Sequence, residues 1–200
     1  MSRNKALARN FFDRPTPLVA RELLGKWLCR RLTAEELAAA GTDPELSAPL
    51  ANGKTLRLRI CETEAYDGPE DKACHAHKGK TPRNAVMFGP AGHWYVYLCY
   101  GMHWMLNAVT GPEGYPAAVL IRGCAGRVGP VRLTKFLDVA RARDRTKIAR
   151  PAGLWVEDDG SSVPDEEVTA GPRIGIGYAG EEWMNKPYRF HWKAGETSAA

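Results

Sequence analysis

The sequence predicts a globular domain of mixed α and β structure, and three observations point there. Its 200 residues are 44% hydrophobic and 26% charged, close to the averages of globular chains. A chain of this length buries roughly 70% of its unfolded surface, so one core can form without a metal or disulfide staple. Strand-length runs of β-branched and aromatic residues recur along it, whereas helical signals are few and short. No apolar run reaches the ~20 residues of a spanning helix. The charged opening MSRNKALARNFFDRPTP also lacks the apolar stretch of a signal peptide, so a cytoplasmic protein without membrane attachment is expected. The five cysteines, Cys29, Cys61, Cys74, Cys99 and Cys124, are scattered without a C-x-x-C pair, which favours reduced, buried thiols.

In chain order, TPLVARELLG (16–25) reads as a short helix: Thr16 can cap, Pro17 suits the first turn, Val19, Leu23 and Leu24 form an apolar stripe, and Gly25 ends it. A strand is expected over 26–32. Residues 35–54 read as a surface connection, with one possible helical turn at AEELAAA. Thr55 to Tyr66 alternates as a half-buried strand, with Leu56, Leu58 and Ile60 on one parity and Arg57 and Arg59 on the other. The segment 67–92 is polar, irregular and rich in Gly, Pro and His, which in a compact domain usually signals function. HWYVYLC (93–99) and HWMLNAVT (103–110) form a hairpin turned at Gly101. A strand follows at 117–121, then a helix opened by Gly129-Pro130 with Leu133, Phe136, Leu137 and Ala140 as its apolar face and much of a basic block on the others. Shorter strands are expected near 154–157, 173–177 and 188–192. Residues 1–10 and 194–200 read as fraying ends of a single domain.

Two features break the pattern of an ordinary core. The parity of Leu56, Leu58 and Ile60, carried onward, brings Glu62, Glu64 and Tyr66 onto the buried face, where a carboxylate is costly unless paired or placed at a pocket. A strand that bulges or ends at Cys61, leaving the glutamates in water, is the alternative, and the pattern does not separate the two. The net charge of +5 is also uneven: residues 122–150 carry nine Lys and Arg against Asp138 and Asp144, net +7, leaving −2 for the rest. A basic block on a near-neutral chain is the electrostatic footprint of a nucleic-acid binder, with a solvated helix face as the plain alternative.

Tyr100 sits beside the hairpin turn, where side chains that wedge into the minor groove are placed, although a tip folded back on its own sheet is the ordinary case. Tyr95 and Tyr97 share a strand face and can line one wall. Cys74, His75 and His77 lack the second ligand pair that zinc requires. No G-x-S-x-G, H-E-x-x-H or phosphate-cradling glycine loop is present. Hydrolysis would then depend on a carboxylate base and a water, with no metal or organic cofactor.

The segment CETEAYDGPEDKACHAHKGKTPRNAVMFGPAGHWYVYLCYGMHWMLNAVT closely resembles the alkyladenine (3-methyladenine) DNA glycosylase family of monofunctional base-excision repair enzymes. So do FFDRPTPLVARELLGKWL, AAVLIRG, GPVRLTK and GPRIGIGYAGEEWMNKPYRF, and the match runs in order from Phe11 to Phe190. The resemblance implies an α+β domain with a curved, mainly antiparallel β-sheet flanked by helices and a protruding, DNA-inserting hairpin. It implies that the protein flips and excises alkylated or deaminated purines from duplex DNA, as a monomer acting on chromosomal DNA. By the same resemblance Glu64 matches the general base. Tyr66, His75 and Tyr97 match the walls of the base pocket, and Asn107 matches the residue that crowds guanine's amino group. Tyr100 matches the intercalating tyrosine, and Arg122 matches an arginine near the pocket that orients Glu64 or contacts the DNA backbone. The connection over 35–54 is longer than the family's turn, and the stretch after Arg122 is shorter than its usual excursion. The rival reading is a non-catalytic nucleic-acid-binding module on the same fold; a metal hydrolase is a distant third.

Overall fold

The computed structural model describes residues 4–40, 50–51 and 54–197. Its spine is a 13-residue strand, β4 (Thr55–Asp67). Preceding it are β1 (Lys5–Ala6), α1 (Arg9–Phe12), α2 (Thr16–Glu22), β2 (Trp27–Arg31), α3 (Ala34–Ala40) and β3 (Leu50–Ala51). After it come β5 (Trp94–Cys99), β6 (His103–Val109), β7 (Ala117–Cys124), β8 (Arg127–Val128) and α4 (Pro130–Phe136). The chain closes with β9 (Leu154–Asp158), β10 (Val168–Gly171), α5 (Glu181–Asn185) and β11 (Arg189–Trp192). The main sheet runs β1-β9-β2-β4-β7-β6-β5, with β10-β11 joined to the second half of β4. Every described pairing is antiparallel. This is the expected curved α+β architecture.

The largest core lies on one face of the sheet, where α2 supplies Val19, Ala20 and Leu23, and the strands supply Ile60, Ala65, Trp94, Val96, Leu106, Ala108, Val119 and Ile121. The core parity of β4 is even at Leu56, Leu58 and Ile60 but odd at Ala65, because the register with β7 slips between Ile60, Glu62 and Thr63. Cys61 on β4 and Arg122 on β7 are each left without a partner in this step, and the paired irregularity exchanges the faces. Glu62 and Glu64 therefore lie opposite the main core, which corrects the simple extension of parity. They do not face water: Glu62 is 4% exposed and Glu64 0%.

Three further expectations change. The helix after Gly129 stops at Phe136, and Asp138 turns the chain with φ 45°, so Arg141 to Arg150 lie on turns beyond it rather than on its faces. No strand forms over 173–177. The strand lies earlier, at β10, because the Arg173 side chain and the Ile174 amide are engaged elsewhere and Gly175 takes φ 77°. The ends, expected to fray, are tied down over part of their length: Leu7 N–H bonds Val156 O at 2.8 Å, and Gly126 N–H bonds Glu196 O at 2.8 Å. The AEELAAA turn is α3, closed by a capping box in which Glu36 N–H bonds Thr33 Oγ1 and Thr33 N–H bonds Glu36 Oε2. The part of the long connection at 41–49 and 52–53 lies outside the described residues. The described cysteines are all free, and Cys29, Cys61, Cys74 and Cys124 are buried. Burial pushes the Cys29, Cys61 and Cys74 thiols up to about 12, so they remain unreactive.

Candidate active site

Four strands align the site. Tyr95 pairs with Asn107 across β5–β6, Asn107 with Leu120 across β6–β7, and Leu120 with Glu64 across β7–β4. Laterally paired residues project to the same face of a sheet, so one cross-strand row carries Tyr95, Asn107 and Glu64. Two positions along, Ala118 pairs with Tyr66. This face is opposite the main core, and a second cluster forms on it from Cys74, Ala76, Met87, Tyr95, Val109 and Ala118, with Tyr66 and Tyr97 packed against them.

Glu64 is fully buried yet meets only donors. Its Oε2 accepts the Tyr66 hydroxyl at 2.8 Å, and its Oε1 accepts the Ile174 backbone N–H at 2.8 Å. Arg122 Nη1 lies 3.3 Å from Oε1. The same arginine donates from Nε to Glu62 Oε1 at 3.1 Å, and Arg189 Nε donates to that oxygen at 2.6 Å. Two carboxylates thus share two guanidinium groups, which offsets the cost of burying charge. Burial, reinforced by the charge of Glu64, holds the Tyr66 phenol well above its ordinary value, so it stays a donor.

Tyr66, which bonds Glu64, also lines a pocket with Ala73, His75, Met87, Tyr95, Tyr97, Asn107, Ala118 and Tyr178. His75 meets Tyr97 edge-on, with centroids 4.5 Å apart, and its Nδ1 is 2.9 Å from the Tyr95 hydroxyl. The residue keeps exposed surface despite these contacts. Burial of the remainder, with the Arg83 charge nearby, lowers its pKa to about 4, so the ring is neutral at pH 7. Burial likewise raises Tyr95 and Tyr97, which keep their protons. Asn107 Nδ2 donates to Tyr95 O at 3.0 Å and to Met105 O at 3.4 Å, which fixes the amide in one orientation.

The hairpin lifts Tyr100 out of the fold. Tyr100 and Gly101 hold φ of 50° and 70°, Met102 N–H closes on Cys99 O at 3.1 Å, and Tyr100 is 87% exposed. A left-handed conformation is costly for a bulky side chain. Met102 and Tyr178 are each 71% exposed and Ile174 is 49% exposed, so apolar surface gathers around the hairpin tip and the pocket rim. Of the basic block, Arg122 is turned inward to the glutamates, and Arg143 donates to Ala152 O. Arg132, Lys135, Arg141, Arg145, Lys147 and Arg150 are exposed. Arg141 and Arg145 line a groove with Arg83 along β5, and Lys135 lines another with Met102 and His103.

The sequence-predicted residues Glu64, Tyr66, His75, Tyr97, Asn107 and Arg122 converge here, with Tyr100 at the tip above. Sequence reading passed over Met87 and Tyr178 in the wall, the Ile174 amide, and the buried pair Asp71 and Arg173. Backbone donors leave no trace in residue type, and 173–177 read as a strand. Among the described residues, no group of three or more His, Cys, Asp or Glu could hold a metal, and no helix is long and apolar enough to cross a membrane.

The family model for methylpurine-DNA glycosylase matches residues 10–128 and 126–196. A Methanocella arvoryzae protein named "Putative 3-methyladenine DNA glycosylase" is 44% identical over 94% of this chain and 92% of its own length. Proteins of the same name from Anaeromyxobacter dehalogenans and Streptomyces avermitilis are 42% and 38% identical, each over 92% of this chain and over 80% and 92% of their own lengths. With the model spanning nearly the whole length and this site in its fold, the chain belongs to the methylpurine-DNA glycosylase family.

Proposed function

We propose that the protein excises alkylated or deaminated purines from duplex DNA by hydrolysis, leaving an abasic site, with Glu64 as the general base. The observation that carries this is the fully buried carboxylate, held by donors at both oxygens next to a pocket walled by aromatic rings. A stacked base hides its glycosidic bond, so the nucleotide is flipped out of the duplex. Tyr100 fills the gap that it leaves. The base enters between Tyr66 on one side and His75 and Tyr97 on the other. A purine alkylated at N3 or N7 is cationic, which suits π-faces and makes it a good leaving group. Water bonds to C1′ as the C1′–N bond breaks. Glu64 takes the water proton, and the bond electrons leave with the base, which neutralises an alkylated purine. A neutral base such as hypoxanthine must also take up a proton, from solvent, to leave as the neutral base. Arg122 steadies Glu64 within this step.

Neutral His75 carries one N–H and one lone pair. With the Tyr95 hydroxyl donating to Nδ1, the Nε2–H is presented to the base as a donor. The fixed Asn107 amide crowds the edge of the purine that carries the amino group in guanine. Among the described residues of the site there is no amine nucleophile, so strand cleavage is not expected. The test is incubation with duplexes each carrying one defined lesion (3-methyladenine, 7-methylguanine, hypoxanthine or ethenoadenine) and identification of the released base. Release of none of them would reject the function. Binding to the duplexes without release would favour the non-catalytic module.

A further inference from the structure

Asp71 and Arg173 form an ion pair whose side chains are both 0% exposed. Arg173 Nη1 meets Asp71 Oδ2 at 2.5 Å and Nη2 meets Oδ1 at 2.8 Å. Removing two charges from water costs as much as or more than their attraction returns, and apolar groups of similar volume commonly serve stability as well or better. Stability alone therefore does not account for the pair. Arg173 also lies 5.3 Å from the centre of the Tyr188 ring, but most of the pair's other side-chain contacts lead to Glu64 or to the pocket. Asp71 accepts the Asp67 N–H through Oδ2 and the Ala73 N–H through Oδ1, both at 3.0 Å. The first pins the end of β4 directly after Tyr66, and the second pins a pocket-lining residue two before His75. Arg173 donates to Ala65 O at 2.8 Å, between Glu64 and Tyr66, and its guanidinium lies 4.8 Å from the centre of the Tyr66 ring. The residue after Arg173 is Ile174, whose N–H donates to Glu64.

Both neutral donors on Glu64 are thus held by the same pair: the Tyr66 hydroxyl through the ring beneath Arg173, and the Ile174 amide through the chain itself. We propose that Asp71 and Arg173 are positioning residues for the hydrolytic step, fixing the Glu64 carboxylate through Tyr66 and Ile174 without touching the substrate. The inference rests on the reading of Glu64 as the general base. A fixed carboxylate aims its free lone pair at one water position, and small losses of aim at a reacting centre cost rate rather than binding.

The test uses the full chain carrying Asp71→Asn, which keeps the shape, and Arg173→Lys, which keeps the charge. Single-turnover excision from a hypoxanthine duplex is followed over a range of protein concentrations to separate the maximal rate from the half-saturating concentration. The maximal rate is expected to fall by about tenfold or more while half-saturation stays within about threefold. Arg173→Lys should retain more rate than Arg173→Gln. Combined with Tyr66→Phe, Asp71→Asn should be less than additive, because one of the pair's two routes to Glu64 runs through the Tyr66 hydroxyl. A folded variant with an unchanged maximal rate would overturn the proposal. So would losses that simply multiply with those of Tyr66→Phe, or a rate loss matched by a loss of binding and of near-ultraviolet dichroism. Failure of both Asp71→Asn and Arg173→Lys to fold would make the pair a scaffold element and overturn it as well. Absence of base release by the unaltered chain is a separate result, which removes the general base and this role together.

Discussion

Ile174 donates its backbone N–H to Oε1 of Glu64 at 2.8 Å, joining residues 110 apart in sequence. With the Tyr66 hydroxyl on Oε2 and Arg122 beside Oε1, three segments of chain present donors to one carboxylate. An ionised carboxylate accepts all of them, and an amide cannot do so without turning an NH2 toward a donor.

The first prediction concerns that carboxylate. Glu64→Gln should lower single-turnover base release from a hypoxanthine or ethenoadenine duplex by about 10²–10⁴-fold, the range for a positioned general base, with lesion binding retained. Undiminished release by this variant would remove Glu64 from the mechanism.

Tyr100 is held at the hairpin tip with almost its whole side chain in solvent. Tyr100→Ala should weaken capture of a lesion duplex more than binding to an undamaged one. A burial-scale loss of about 1 kcal/mol or more in the difference is expected. Equal losses on both duplexes, measured by fluorescence anisotropy, would rule out the wedge.

The exposed basic side chains predict that binding to undamaged duplex falls with salt, at a slope of about −0.9 per phosphate neutralised. Arg141→Ala should make that slope shallower by about one contact without altering the maximal excision rate. A flat response of the unaltered chain to salt would reject the electrostatic role of the block.

His75 supplies a pH prediction. Its folded-state pKa of about 4 lies below the ordinary 6.5, so the unfolded chain binds the proton more readily. The contribution of the neutral ring to stability is complete above pH 6.5 and is lost as pH falls from 6.5 towards 4. Ring resonances followed by NMR should titrate with a midpoint near 4, and Arg83→Met should move it upward by removing a nearby positive charge. A midpoint near 6.5 in the unaltered chain would show that the imidazole is not shielded.

Tyr178 lines the pocket while remaining 71% exposed, and its hydroxyl donates to Ala73 O at 3.3 Å. Tyr178→Ala should weaken lesion binding by about threefold to tenfold, as removal of one aromatic contact does, and Tyr178→Phe by less. Unchanged affinity in Tyr178→Ala would leave the rim without a part in recognition.

By itself the sequence determined the elements with strong local signals: the spine strand over 55–66, the hairpin around Tyr100-Gly101, and the helix of α2. In each, periodicity or turn chemistry acts between near neighbours. The resemblance also picked out Glu64, Tyr66, His75, Tyr97, Asn107 and Arg122, because their side chains carry the chemistry. Tertiary structure alone decided which face Glu64 occupies. Hydrophobic parity pointed to the main core, whereas the bulge near Cys61 turned the glutamates to the opposite face and the arginines buried them there. It also decided what holds Glu64. The Ile174 amide and the Asp71–Arg173 pair come from segments more than a hundred residues apart, and the strand expected over 173–177 does not form. A backbone donor has no residue type to betray it. Which carboxylate meets which guanidinium depends on strand order and register, which pairwise spacing along the chain does not encode.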